Sequence, residues 1–359
     1  MSFKAFYLSA EGDFKRGLNE DEIRTAYQSG KGLLWVDISE TTEQDGEFLA
    51  RNFNFHHLAI EDCVSPSIHQ PKIDDFGDYL FIIVHGIKHN GESPIVETTE
   101  FEFFLGHNCL VTNHNDPIYS VDSIIKIVEE DGRPMRRGAD FLAYTLIDAL
   151  IDHVFPTIDK MSEFADQIEQ EVIRNPQQST LEAIMMLKRS VIRLHRVMAP
   201  QREVLNRLSR PEFPIIGDDA HIFYRDIYDH IVLIEDLGQS LRDRADHVLA
   251  IHLSAVAYRQ NEYMRILSLM ATIFLPLALV AGIYGMNFEY MPELSWHWGY
   301  FAVIGFVGFV IISVISWFWF RRWIMWGRGQ VVRVRPFAVE RDKLTGYLEH
   351  VINPHQKKR

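Results

Sequence analysis

The sequence predicts an α/β domain in the cytoplasm, joined by a long helical stalk to two C-terminal transmembrane helices. Three observations predict it. Strand-like segments fill the first third. Apolar spacing then changes to the 3.6-residue helical period. Near the C-terminus, residues 266–284 and 298–320 are runs of 19 and 23 residues without a charge.

Composition bounds the functions. The chain has 359 residues and a formal net charge of −13. Residues 1–260 hold 43 of its 49 acids and 25 of its 36 Lys and Arg, so an acidic body precedes a basic end. An acidic body argues against nucleic-acid binding and suits a protein that meets cations. Cys63 and Cys109 belong to no CxxC pair and read as buried thiols in a reducing compartment. The first 17 residues lack an apolar signal core, so residues 1–260 are expected to stay in the cytoplasm.

Residues 1–135 read as the α/β domain. "KAFYLS", "GLLWVDIS", "DYLFIIVHGI" and "VETTEFEFFLGHNCLVTNH" are β-branched and aromatic with partial alternation, as strands are. "HHLAIEDCV" reads as a helical turn closed by Pro66, and "DSIIKIVEED" as a short amphipathic helix. Residues 136–218 form a long-helix region, with a kink at Pro156 and a second helix capped by Ser179 or Thr180. A third helix, 219–286, would be about 100 Å long at 1.5 Å per residue. Its end, about 266–286, is the first span; 287–297 is an external loop, 298–320 the second span and 321–359 a basic tail.

Both apolar runs are long enough to cross a bilayer. Trp296, Trp298, Tyr300, Trp317, Trp319 and Trp323 cluster at the ends of the second, as an interfacial belt does. Arg259 and Arg265 precede the first span, and five arginines follow the second by residue 335. The loop between has Glu289 and Glu293 and no Lys or Arg. The positive-inside rule therefore places both termini in the cytoplasm of a multi-pass protein of the plasma (inner) membrane.

Two spans cannot enclose a pore, so a conduction path needs several copies. On the first span Asn261, Met264, Leu267 with Ser268, Ala271, Leu275, Ala278 and Gly282 recur at steps of three or four. They form one stripe of small, polar and unbranched side chains. The stripe fits a pore lining or a helix-packing seam equally well.

The segment "GIYGMNFEYMPEL" between the spans resembles the CorA family of magnesium and cobalt transporters, whose signature is Gly285-Met286-Asn287. "NEYM", "ATIFLPL" and "MPEL" match beside it, and the coarse organisation matches over roughly residues 1–325. The resemblance implies a homopentamer in the lipid bilayer, with the first spans lining the pore and five GMN loops at its outer mouth as selectivity filter. Gly285 would permit a sharp exit from the helix. Asn287 would grip a hydrated Mg2+ through its waters. Glu289 and Glu293 would raise the local cation concentration. Carried onto this chain, the pore is lined by Asn261, Leu267, Ala271, Leu275, Ala278 and Gly282. Relatives often have Met at Leu275 and Ser or Thr at Ala278. Here both are apolar, so Leu275, Ala271 and Leu267 can form a dewetting gate.

The resemblance also implies regulatory acids that bind Mg2+ between cytoplasmic domains and hold the pore shut. Glu61, Asp62, Asp148, Asp226 and Asp246 are the candidates. The expected cargo is Mg2+, with Co2+ and Ni2+ beside it. A ZntB-like Zn2+ transporter is the alternative within the superfamily, although relatives of that kind depart from "GMNFEYMPE" after the Asn. A membrane-anchored sensor or scaffold that conducts nothing is the alternative of another class. His56, His57, His85, His89, His107 and His114 lack a metal-ligand spacing and read as surface or core residues. With no Walker loop, GxGxxG or GxSxG, the sequence points to no enzyme, organic cofactor or nucleotide, and so to passive transport. The tail after Trp323 suits the anionic inner leaflet or disorder.

Overall fold

The computed structural model describes residues 2–88, 95–174, 176–286, 291 and 296–326. The chain divides into two compact units, Met1–Arg259 and Gln260–Arg359.

The first unit holds a seven-stranded sheet: β1 (Ser2–Leu8), β2 (Phe14–Arg16), β3 (Leu33–Ser39), β4 (Lys72–Asp75), β5 (Tyr79–Ile87), β6 (Thr98–Gly106) and β7 (Cys109–His114). The spatial order is β2-β1-β3-β7-β6-β5-β4. Only β3 and β7 pair in parallel, with Leu34 opposite Cys109. The single run "VETTEFEFFLGHNCLVTNH" becomes a hairpin, β6 and β7, that turns between Gly106 and Cys109.

Both faces of the sheet are covered, which explains the partial alternation. Trp35, Leu80, Ile82, Phe101 and Phe103 enter one apolar cluster, while Leu34, Val36, Phe81, Ile83 and Phe104 enter the other. The second cluster lies beneath α1 (Glu20–Ser29), α2 (Glu43–Phe53) and α3 (His57–Val64). The first meets α4 (Tyr119–Asp131) and α5 (Ala139–Asp152) and continues along three longer helices. These are α6 (Phe155–Arg174), α7 (Gln178–Leu208) and α8 (Asp218–Tyr284). Cys63 and Cys109 are both buried and free.

Local chemistry sets the helix ends. Asn19 and Glu22 form a capping box on α1, and Gly30 closes it in the left-handed region. The expected cap of α7 lies slightly too late. Gln177 is its N-cap, and Thr180 is the third helical residue, whose hydroxyl accepts the Gln177 N–H. Pro156 does not kink a continuous helix. It sits in the first turn of α6, where a missing N–H costs nothing, and the break falls at His153.

Apolar residues on α8 recur at three and four: Tyr224, Ile227, Ile231, Ile234, then Leu241, Ala245 and Val248. Gly238 lets α8 approach Leu194 of α7, whose Cδ2 would lie 3.7 Å from an added Cβ. Arg202–Glu235, Lys188–Asp246 and the contacts of Arg244 with Asp166 and Glu169 tie the helix surfaces. α8 has 67 residues and passes Pro276 without interruption. The second unit contains its C-terminal part and α9 (Gly299–Trp326).

Candidate functional site: a membrane helix pair and an acidic cation cluster

Among the described residues, three stretches are long and apolar enough to cross a membrane: Ala139–Arg174, Asp218–Tyr284 and Gly299–Trp317. Burial separates them. Half of the apolar window of the first is buried within the chain, none of the second and 6% of the third. The first is core of the α/β unit; the other two leave their apolar surface for lipid or for other copies.

On α8 every expected lining residue is exposed: Asn261, Leu267, Ala271, Leu275, Ala278 and Gly282. Leu275 is 76% exposed, the most of any large apolar residue on this helix. After Tyr284 the ladder continues briefly. The Gly285 N–H bonds the Ala281 carbonyl at 2.9 Å, and the Met286 N–H bonds that of Ile283 at 3.3 Å. Gly285 does not adopt a positive φ, contrary to the expected sharp exit. Asn287, Glu289 and Glu293 lie outside the described residues, as does the tail from 327.

The five expected regulatory acids are not all brought together. Glu61 and Asp62 lie on α3, Asp148 on α5, Asp226 and Asp246 on α8. Lys72 Nζ is 2.7 Å from Asp62 Oδ2, and Lys188 Nζ is 2.5 Å from Asp246 Oδ1, so both acids already carry a cation. Glu61 is exposed. Asp148 gathers with two residues that sequence reading passed over, Asp152 and His230, while Asp226 acts on it through charge alone.

Asp148 and Asp152 are four apart on α5; Asp226 and His230 are four apart on α8. Each pair therefore occupies one helix face. One ligand atom each from Asp148, Asp152 and His230 can lie within 4.8 Å of the others. His230 Nδ1 is 3.6 Å from Asp152 Oδ1 and is buried without a hydrogen-bond partner. Burial, then the Asp152 carboxylate and more weakly Asp226, push Asp148 up to about 6. The nearby Tyr144 hydroxyl is pushed up to about 12 by burial and by Asp148, Asp226 and Asp152. This is a crowd of carboxylates beside one imidazole. A bound divalent cation would satisfy both. The repeated i, i+4 spacing was the readable signal; that the two pairs meet was not.

The chain matches the family described as CorA-like Mg2+ transporter protein over residues 30–322. It is 34% identical over 302 residues to the cobalt/magnesium transport protein CorA of Thermotoga maritima, covering 81% of this chain and 83% of that one. This chain belongs to the CorA family. The family is one of membrane transporters for divalent metal cations rather than enzymes. The CorA fold is also evident in the complete structure of the CorA magnesium transporter from Methanocaldococcus jannaschii. That structure superposes with a TM-score of 0.76 at 20% identity, covering 88% of this chain and 96% of that chain. A zinc transport protein, ZntB of Yersinia pseudotuberculosis, is 24% identical over 326 residues, or 89% of this chain and 95% of its own length.

Proposed function

We propose that this CorA-family chain forms a homopentameric channel for passive, gated uptake of Mg2+, with Co2+ and Ni2+ as further cargo. The observation that carries this reading is the exposed stripe on α8, from Asn261 to Gly282, leading directly into Gly285-Met286-Asn287. A stripe of small and unbranched side chains fits the lining that five copies would share. The GMN segment would supply neutral oxygens at its outer end. Such oxygens hold a hydrated Mg2+ without binding it too tightly to leave. Glu289 and Glu293 would concentrate cations there. Both termini would be cytoplasmic, and the membrane potential would drive entry without nucleotide.

For gating, the Asp148, Asp152, Asp226 and His230 cluster is the cation sensor within a chain. Glu61, Asp62 and Asp246 would act between chains, in competition with Lys72 and Lys188. Magnesium is favoured over zinc because the chain is more similar to the cobalt/magnesium relative than to the zinc one. Its loop also keeps "GMNFEYMPEL".

The deciding test is flux into proteoliposomes with Mg2+, Co2+ and Zn2+ side by side, for the wild type and Asn287→Ala. Mg2+ flux lost in the variant is expected. Zinc flux without magnesium flux would move the protein to the zinc-transporting side. No flux of any ion would make it an anchored sensor.

A further inference from the structure

Side chains alternate across a strand, so Glu100 and Glu102 on β6 share one face. It is the face beneath α3, where Phe81, Ile83, Phe104 and Val111 are buried. Two neighbouring carboxylates among such residues are costly unless charge reaches them. Among the described residues neither makes an ion pair with Lys or Arg. Their neighbours are His69, on the connection between α3 and β4, and His85 on β5.

We propose that His69, Glu100 and Glu102 form a transition-metal site within one chain, distinct from the Asp148 cluster and from the pore. One ligand atom from each lies within 4.8 Å of the others. His69 Nδ1 is buried, has no hydrogen-bond partner and lies 3.5 Å from Glu100 Oε1. A tetrahedral ion with ligands at about 2.0–2.2 Å needs its ligand atoms roughly 3.4 Å apart. That pair already has the spacing.

Glu102 is oriented from behind. It accepts a hydrogen bond from Asn113 Nδ2, and Asn113 Oδ1 accepts the Thr41 hydroxyl. Outer partners of this kind fix metal-ligating carboxylates. His85 is 3% exposed, and its Nε2 donates to the His69 carbonyl at 2.7 Å. Glu100 Oε1 accepts the His69 backbone N–H at 2.5 Å, which holds that carboxylate beside the imidazole. His69, with its side chain 24% exposed, offers the way in.

One imidazole and two carboxylates suit Zn2+, Co2+, Ni2+ or Mn2+ better than Mg2+, which prefers an all-oxygen shell. Metal on Nδ1 also fixes the remaining proton on His69 Nε2, which faces Asp62 Oδ1 at 3.5 Å. Occupancy would thus be felt at an acid of the expected magnesium sensor.

The test uses the full chain in detergent, loaded with Co2+ in excess Mg2+ so that all-oxygen sites are filled by magnesium. Bound metal is counted, and ligation is read by X-ray absorption. The wild type should retain two Co2+ per chain, one at each imidazole-bearing cluster, and His230→Gln one, with an imidazole ligand; His69→Gln and Glu102→Gln should each retain one fewer than the wild type. Thermal scans in chelator check that the variants are folded. Glu102→Gln keeps the side-chain shape, and His69 lies outside the core. Complete displacement of Co2+ by Mg2+, an all-oxygen cobalt shell in His230→Gln, or full retention in folded His69→Gln would each overturn the proposal. None of these readouts depends on ion flux.

Discussion

The side-chain amide of Gln201 closes both backbone hydrogen bonds of His85. Its Oε1 accepts the His85 N–H at 2.8 Å, and its Nε2 donates to the His85 carbonyl at 3.3 Å. β4 begins at Lys72, opposite Ile83, so the edge of β5 beyond Ile83 has no strand partner among the described residues. Gln201, fully buried on α7, supplies one. Gln201→Leu keeps the volume and leaves two buried backbone groups unpaired, at ~1–3 kcal/mol each. The thermal unfolding midpoint should fall by roughly 5–15 °C. A midpoint unchanged within error would mean that water replaces the amide.

Lys72 bridges Asp62 and Asp74, with Nζ 2.7 Å from an oxygen of each. A divalent cation at Asp62 must compete with this ammonium. A partly exposed pair contributes ~0.2–1 kcal/mol, so Lys72→Met should increase the potency of internal Mg2+ as an inhibitor by roughly 1.4- to 5-fold. Flux measured at graded internal Mg2+ checks it. A shift toward weaker inhibition would show that Lys72 holds Asp62 in place rather than blocking it.

Legibility differed by element for physical reasons. The two spans were plain because nothing interrupts their apolar runs, and α8 because no proline interrupts it before Pro276. α1 was illegible because only Ile23 and Ala26 of it are buried, too few to show a period. β2 and β4 have three and four residues and depend on their neighbours for pairing. The acids were legible singly but not as a site. Asp148 and Asp226 lie in different helices, and only packing brings Asp152 and His230 beside them. His69 was passed over because its partners Glu100 and Glu102 come from a strand some 30 residues away, at no ligand spacing a motif could show.

His114 gives the α/β unit a pH dependence. Burial alone would lower its pKa, but the Asp37 carboxylate at 3.4 Å and the Asp116 carbonyl at 2.8 Å outweigh it and hold the imidazole above its usual range. Its folded pKa thus exceeds the unfolded value of about 6.5. The stabilisation is fully present below that value and is lost as pH rises through the folded pKa. His85, which burial holds below its usual range, has the opposite sign: stability falls as pH drops below about 6.5. The informative quantity is therefore the difference between the wild type and His114→Asn. The wild type should lose more of its unfolding midpoint between pH 6 and pH 8. Parallel curves would show that Asp37 does not pair with a charged His114.

Leu275 tests the membrane reading most directly. At 76% exposure it makes little contact within its own chain, so replacing it should hardly change the fold of a single subunit. If α8 lines a pore, Leu275 sits in the apolar stretch with Ala271 and Leu267, where water is excluded when the channel is closed. Leu275→Asn places an amide there and should hydrate the constriction. Basal Mg2+ flux should rise, and inhibition by internal Mg2+ should become less complete, with the unfolding midpoint unchanged. If Leu275 instead faces lipid, the same substitution leaves flux unchanged and destabilises the assembly, because a polar side chain gains no partner in hydrocarbon. Measuring flux and midpoint on one preparation separates the two orientations of α8.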